Sequence, residues 1–361
     1  QNFHFEKKQF RIFKMARFQI TTLENSTLHY TSILIHGMLL MKQQESLGVF
    51  VTGVSGRIGA AVVRELLQTH PVHGYDQTTP PPSVNLTTFT QSRLEDAPLL
   101  LQAMQASNCA TVVHLAGCPD DADFDTALLP ANIQGTVNVL RAIETINTTT
   151  TTTTPITRLV VASTGKLFAG HTAAYPITLA THPSPICAYG ATKAFVEAAC
   201  HSFSRDPVSG CTTVCLRFAW CPRTASDMAA YRNVPTDHPD EFLSPHDAAT
   251  CVRAALTKKT HDQHFATYFV QSLPQQHRQP RFDLTATIKG LAPWVPTRTF
   301  PDNMDELVQQ RNPTMDAALK PREDVSPGVF LAATTSPPST ASSSSSSSSS
   351  SATTSPPSPT E

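Results

Sequence analysis

The run Val49-Phe-Val-Thr-Gly53-Val-Ser-Gly56-Arg-Ile-Gly59 constrains this chain more than any other. A short apolar, β-branched stretch gives way to glycines spaced by three, and a helical pattern follows from Arg57 to Gln68. That order describes a buried parallel strand feeding a crossover helix through a tight turn. Gly53 lets the chain turn sharply, Gly56 lets backbone approach a pyrophosphate, and Gly59 lets the helix pack closely on the sheet. The helix N-terminus then offers free N–H groups and a favourable dipole to phosphates. Ser55, Arg57 and Ile58 complete the turn. Asp76 ends the next strand-like stretch, from Val72, where a carboxylate accepts from ribose hydroxyls and repels a 2′-phosphate. The expected cofactor is therefore NAD rather than NADP.

Strand-like and helix-like patterns alternate beyond this point. Strands are expected at Gly48–Thr52, Val72–Tyr75, Thr111–Leu115, Arg158–Ala162 and Thr212–Leu216. Helices are expected at Ala97–Gln105 and Ile133–Ile146, and from Tyr189 to about Phe203. Strands apolar on both faces and joined by helices predict an α/β, doubly wound parallel-sheet Rossmann fold. After Trp220 the alternation weakens, and Asp247–Leu256 and Arg281–Leu291 read as parts of a small mixed C-terminal substrate lobe. Asp247 is expected to cap its helix. The resulting division is a leader over 1–45, unstructured or targeting, an NAD-binding domain over 46–225, a substrate lobe over 226–325 and a disordered tail over 326–361. From about Ser336 the chain is Ser, Thr, Pro and Ala with a long serine run, and cannot bury enough surface to offset its ordering entropy. A threonine run, Thr148–Thr154, reads as a loop insertion.

Tyr189-Gly-Ala-Thr-Lys193 places a phenol and an ammonium one helical turn apart on one face. Oxidation of a carbinol needs a base for the hydroxyl proton. A free tyrosine titrates at about 10, so bringing it to ~7 requires ~4 kcal/mol, which an adjacent ammonium helps to supply.

In order along the chain stand the G-x-x-G-x-x-G turn, Val112-Val-His114-Leu115-Ala116-Gly117, Asn132-Ile-Gln-Gly-Thr-Val-Asn138 and Tyr189-x-x-x-Lys193. This set resembles the extended short-chain dehydrogenase/reductases, the group of NAD-dependent sugar epimerases and dehydratases. The resemblance implies that Leu115, Ala116, Gly117 and Asn132 border the cofactor and that Lys193 also contacts its ribose. It implies a hydroxyl completing a triad with Tyr189 and Lys193. Thr164 matches it by spacing to Phe168 and Gly170, with Ser163 as its neighbour. Homodimers built on the Tyr189 helix and the preceding helix are usual in that group.

Within the group the chain is most similar to uronate dehydrogenases, through Leu216-Arg-Phe-Ala-Trp-Cys221, Tyr231-Arg232 and Leu291-Ala-Pro-Trp294. That likeness implies a substrate carboxylate on Arg232, gripped by two parallel hydrogen bonds. The chain departs from those enzymes where they carry an Asn-His pair, having Gly165-Lys166 instead. Pro119 stands for a substrate-contacting Ser, and Arg93 for an Asp near adenine. Ser163, Gly165, Lys166 and Arg232 are thus the substrate-side candidates. The expected activity is an NAD-dependent oxidoreductase on a small sugar or sugar acid. A nucleotide-sugar epimerase or dehydratase is the enzymatic alternative, and a nucleotide-sensing scaffold the non-catalytic one.

Composition narrows the partners. Lys and Arg total 27 against 28 Asp and Glu, and no basic stripe with interleaved aromatics suggests nucleic acid. Thr31–Met41 is apolar but too short to cross a bilayer. Eight cysteines without a C-x-x-C pair suggest reduced thiols in the cytoplasm and no bound metal.

Overall fold

A computed structural model describes residues 48–300, apart from 120–121, 150–153, 173–174, 223–224, 236, 258–263 and 277. The leader, the serine-rich tail and the middle of the threonine run lie outside the described residues.

Seven parallel strands form one sheet. In chain order the elements are β1 (Val49–Thr52), α1 (Arg57–Leu66), β2 (Val72–Asp76), β3 (Thr88–Gln91), α2 (Ala97–Ser107) and β4 (Thr111–His114). A wide π-type helical segment, Phe124–Gln134, runs into α3 (Gly135–Thr148). Next come β5 (Arg158–Thr164), a 3-10 turn (Gly165–Phe168), α4 (Ala188–Arg205) and β6 (Thr212–Phe218). The remaining elements are α5 (Ala225–Arg232), α6 (Pro245–Thr257), β7 (Phe265–Val270) and α7 (Thr285–Gly290). The strand order is β3-β2-β1-β4-β5-β6-β7.

The period-two alternation of each strand divides its side chains between two cores. Val49, Val51, Val113, Val160, Val214 and Leu216 enter the core shared with α1 and α6. Phe50, Val112, Leu159, Val161 and Cys215 enter the other, shared with α2, α3 and α4. This double-sided burial is the physical reason the strands read as continuous apolar runs.

Two strands escape the sequence pattern. Edge strand β3 is largely exposed, so its composition carries little apolar signal. Strand β7 pairs in parallel with β6, and α6 packs on α1. Part of the segment expected to form a separate lobe over 226–325 is therefore built into the main sheet. What remains of the lobe is gathered around an aromatic cluster of Tyr231, Phe242 and Phe300 with Met228 and Trp220.

Asp247 is a correction. The cap of α6 is Ser244, whose Oγ accepts from Asp247 N at 3.0 Å. Asp247 is fully buried, and its carboxylate gathers the chain that returns over the helix. Oδ1 accepts from Thr297 N (2.9 Å) and Thr297 Oγ1 (3.1 Å), and Oδ2 from Ser272 Oγ and Arg298 N (3.1 Å). Trp294 Nε1 adds a bond to Thr250 Oγ1 at 3.1 Å. Removing one acceptor that serves several buried donors costs roughly 3 kcal/mol. Asp247→Ala is expected to lower Tm by about 6–12 °C, read by calorimetry. A shift under about 2 °C would show that the return segment is held by other contacts.

Candidate active site

The Gly-rich turn is set by backbone crowding. Gly53 has φ of 80°, and a Cβ there would lie 2.5 Å from Ala116 N. A Cβ on Gly59 would lie 1.8 Å from Gly53 O, so strand and helix touch through bare backbone. Gly56, the N-cap of α1, receives no side-chain cap bond. Ser55 turns inward, its Oγ donating to Thr78 O and its N donating to Asp76 Oδ2 at 3.0 Å. Asp76 Oδ1 accepts from Thr78 N at 2.9 Å. Burial raises the Asp76 pKa, while the N–H groups of Thr78 and Ser55 act in the opposite sense. Ile58 packs on the first core, and Leu115 N donates to Thr52 O at 3.1 Å. Arg57 holds two buried guanidinium nitrogens, Nε and Nη1, without hydrogen-bond partners. Orphan cationic donors beside a helix N-terminus, with a carboxylate at the end of β2, fit a dinucleotide diphosphate and its ribose.

The next loop, Leu115-Ala116-Gly117-Cys118, joins this turn to the Tyr189 helix. A Cβ on Gly117 would lie 2.8 Å from Asn132 Oδ1 and 3.4 Å from Lys193 Nζ. Asn132 is buried within the continuous helical segment and does not cap it; Asp123 does, accepting from Thr126 N at 2.9 Å. Asn132 Oδ1 accepts from Cys118 N (2.7 Å). Its Nδ2 donates to Cys118 O (3.1 Å) and Thr192 Oγ1 (3.0 Å). Thr192 Oγ1 passes the connection to Tyr189 O at 2.8 Å.

Lys193 is buried and donates to Ala162 O at 3.1 Å. Its Nζ lies 6.0 Å from the centre of the Tyr189 ring. Desolvation pulls the ammonium down to about 8. Thr164 ends β5, where its Oγ1 accepts from Lys166 N at 3.2 Å. Ser163, adjacent in the strand, faces away, and its Oγ donates to Glu197 Oε1 at 2.6 Å. It is buried, with its hydroxyl engaged by that carboxylate. Gly165 lies flat against the Phe282 ring, and Lys166 is exposed. Arg232 is exposed at the end of α5, its guanidinium 5.9 Å over Phe300. Arg93, the residue expected near adenine, pairs with Glu95 at 2.9 Å.

His114 has a use that its apolar flanks hid. Thr136 Oγ1 donates to Asn132 O at 2.7 Å, so at 3.2 Å it accepts from His114 Nε2–H. His114 Nδ1 then accepts from Thr52 Oγ1 at 2.8 Å, and Thr52 Oγ1 accepts from Ala116 N at 3.3 Å. Donor and acceptor counting thus places a hydrogen on Nε2, and burial keeps the ring neutral. Its hydroxyl partners hold the cofactor-side loop. Among the described residues, no group of His, Cys, Asp and Glu could hold a metal ion, and no helix is long and apolar enough to cross a membrane.

Residues 49–220 match the NAD dependent epimerase/dehydratase family, and the domain they form belongs to it. The chain is thus an NAD-dependent enzyme of the oxidoreductase and epimerase type, with the Rossmann fold of that family. Several solved structures share the fold. MoeE5 in complex with UDP-glucuronic acid and NAD superposes with a TM-score of 0.57 at 19% identity, over 75% of this chain and 100% of that one. Uronate dehydrogenase from Agrobacterium tumefaciens gives 0.55 at 18%, over 74% and 91%. UDP-glucose 4-epimerase from Brucella ovis in complex with NAD gives 0.52 at 18%, over 63% and 78%. No curated protein sequence matches the chain.

Desolvation, reinforced by the nearby Lys193 charge, lowers His114 from 6.5 to about 3. As pH falls, the unfolded chain takes this proton first. Stability from the neutral ring is complete above about 6.5 and is lost between about 6.5 and 3, at up to ~1.4 kcal/mol per pH unit. The Tm advantage of the native protein over His114→Gln is expected to shrink from pH 7 to pH 5. Parallel Tm curves for the two proteins would contradict the neutral assignment.

Proposed function

We propose that the enzyme oxidises a hydroxyl of a small sugar or sugar acid, with Tyr189 as base, Lys193 as its electrostatic partner and Thr164 orienting the substrate oxygen. The observation that carries this reading is the position of Lys193. Its Nζ is buried beside Gly117 on the cofactor-side loop, and the Tyr189 ring lies 6.0 Å away.

NAD, held by the Gly53–Gly59 turn and Asp76, would supply the hydride acceptor for the carbinol carbon. Tyr189 takes the hydroxyl proton, so its phenol must ionise well below the ordinary value of about 10. The Lys193 ammonium favours the phenolate through space, more strongly in a site that excludes water than in bulk solvent. The Thr164 hydroxyl, at the end of β5, donates to the substrate oxygen and aims its proton at Tyr189. On the substrate side, Lys166 and Arg232 are the exposed cations that suit a carboxylate. The fold shared with uronate dehydrogenase agrees with a sugar acid. The fold shared with a UDP-glucose epimerase and with MoeE5 bound to UDP-glucuronic acid supports a second reading, a nucleotide-sugar substrate.

A homodimer is part of the proposal. Phe124 and Leu129 on the π-type segment and Phe195 on α4 are each more than a third exposed, on helices that pack together. Such a patch suits burial against a second copy. The eight free cysteines favour a reducing compartment such as the cytoplasm.

A screen of aldoses, uronic acids and UDP-sugars with NAD, followed by NADH absorbance, tests the reading. Turnover is expected on a non-nucleotide sugar or sugar acid, with kcat falling at least ~1,000-fold in Tyr189→Phe. Conversion of a UDP-sugar alone, without net NADH, would establish the epimerase instead. The pH profile is a separate check. Lys193 loses its charge near 8 in the free enzyme, so kcat/KM for NAD is expected to decline above about pH 8. A profile flat to pH 10 would show that the ammonium is not required.

A further inference from the structure

Ser163, Arg217 and Phe269 stand side by side, paired in register across β5, β6 and β7. Glu197 of α4 reaches onto them. Its Oε1 accepts from Ser163 Oγ at 2.6 Å and from Arg217 Nε at 2.9 Å, and its Oε2 accepts from Arg217 Nη2 at 2.8 Å. All three polar residues are buried. The guanidinium also lies 4.9 Å over the Phe168 ring and 5.2 Å over Phe269. A hydrogen bond with Cys200, together with burial, keeps the neighbouring Cys215 thiol protonated, so it adds no charge to the group.

These contacts bear on both halves of the catalytic constellation. Lys193, one turn before Glu197 on the same helix face, donates to Ala162 O, and Ser163 is the next residue along β5. The Tyr189 helix is therefore fastened to β5 at two consecutive residues, immediately before Thr164. Phe168 closes the 3-10 turn whose first bond is accepted by Thr164 Oγ1. Arg217 thus braces the helix through Glu197 and the hydroxyl-bearing turn through Phe168.

A buried ion pair is weak evidence for stability, because apolar residues of similar size often serve as well. Its two-pronged geometry gives something apolar contact does not: a fixed rotation and height of one element on another. An α-helix rises 1.5 Å and turns 100° per residue, so a slip of one residue at Glu197 would carry Tyr189 and Lys193 off the site. The bidentate partner also occupies the carboxylate that would otherwise compete for the Lys193 ammonium at i,i+4 spacing.

We infer that Glu197 and Arg217, with Ser163, form a positioning clasp that holds the Tyr189–Lys193 helix in register with Thr164 for the proton transfer. The inference rests on the proposed roles of Tyr189, Lys193 and Thr164.

The test replaces the pair by Glu197→Met with Arg217→Met in the full chain. It measures Tm, NAD affinity by calorimetry, kcat, and Tyr189 ionisation by NMR of ring-labelled tyrosine in the NAD-bound enzyme, with Tyr189→Phe assigning the signal. Expected are a Tm within a few degrees of the native protein and an NAD Kd that changes less than kcat does. Tyr189 should titrate at least half a pH unit higher, and kcat should fall ten- to a hundredfold. A Tyr189 titration unchanged from the native protein overturns the clasp, whatever the turnover. If the double variant does not fold, Ser163→Ala removes one bond and little packing, and the same titration decides. It should move upward by a smaller amount, with kcat down threefold or more, and no movement overturns the inference. A native protein that oxidises no sugar would refute the proposed activity, while the Tyr189 titration would still judge the clasp.

Discussion

The contact between the Gly53 carbonyl and the bare α-carbon of Gly59 is the constraint on which the site depends. Any side chain at Gly59 would collide with that oxygen, so β1 and α1 would have to separate. Their closeness aims the helix N-terminus at the place where a diphosphate can lie. Gly53 meets the other side of the same junction, against the Leu115–Gly117 loop of β4. From there the connections run through Asn132 and Thr192 to the backbone of Tyr189, and through the edge of Gly117 to Lys193. The Gly-rich turn and the proposed proton-transfer pair, Tyr189 and Lys193, are thus parts of one connected unit, tied across the C-terminal edge of the sheet.

Residues with periodic or spaced signals were legible in the sequence. The two-sided strands β1, β2, β4, β5 and β6 could be read because each feeds two cores, and the cofactor turn because its glycines are spaced for backbone contact. Other features depend on partners distant in the chain. Edge strand β3 buries little, and β7 follows a stretch that looked like part of another lobe. Asn132 had the composition of a helix cap, but the helical segment begins earlier, at Phe124, and this turns its side chain to Cys118. Asp247 fits a cap by local rules as well. Ser244 takes that role, leaving the carboxylate to collect donors from Ser272, Thr297 and Arg298. Ser163 and Thr164 show how strand alternation divides neighbours: one hydroxyl goes to a buried carboxylate and the other stays at the end of β5.

Electrostatically, the site separates its charges by burial and by pairing. Arg217 is matched to Glu197, and burial, with the Lys193 charge nearby, keeps His114 neutral between two threonines. Lys193 keeps its cation beside a carbonyl and an aromatic ring, with desolvation bringing its pKa close to the working range. Neutral His114 matters here, because an imidazolium beside Lys193 would set two cations against each other in a dry interior.

The threonine run stands in the sequence between α3 and β5, a connection whose described ends lie at the N-terminal edge of a parallel sheet, with the proposed site at the other edge. Parallel strands make the two rims unequal by construction: every α-to-β connection falls on one and every β-to-α connection on the other. Homopolymer growth on the first rim lengthens the polypeptide without altering the distance between any two reactive groups. Such a protein has a face on which replication slippage leaves the chemistry untouched, and an opposite face on which a single added residue would move Thr164 or Gly117.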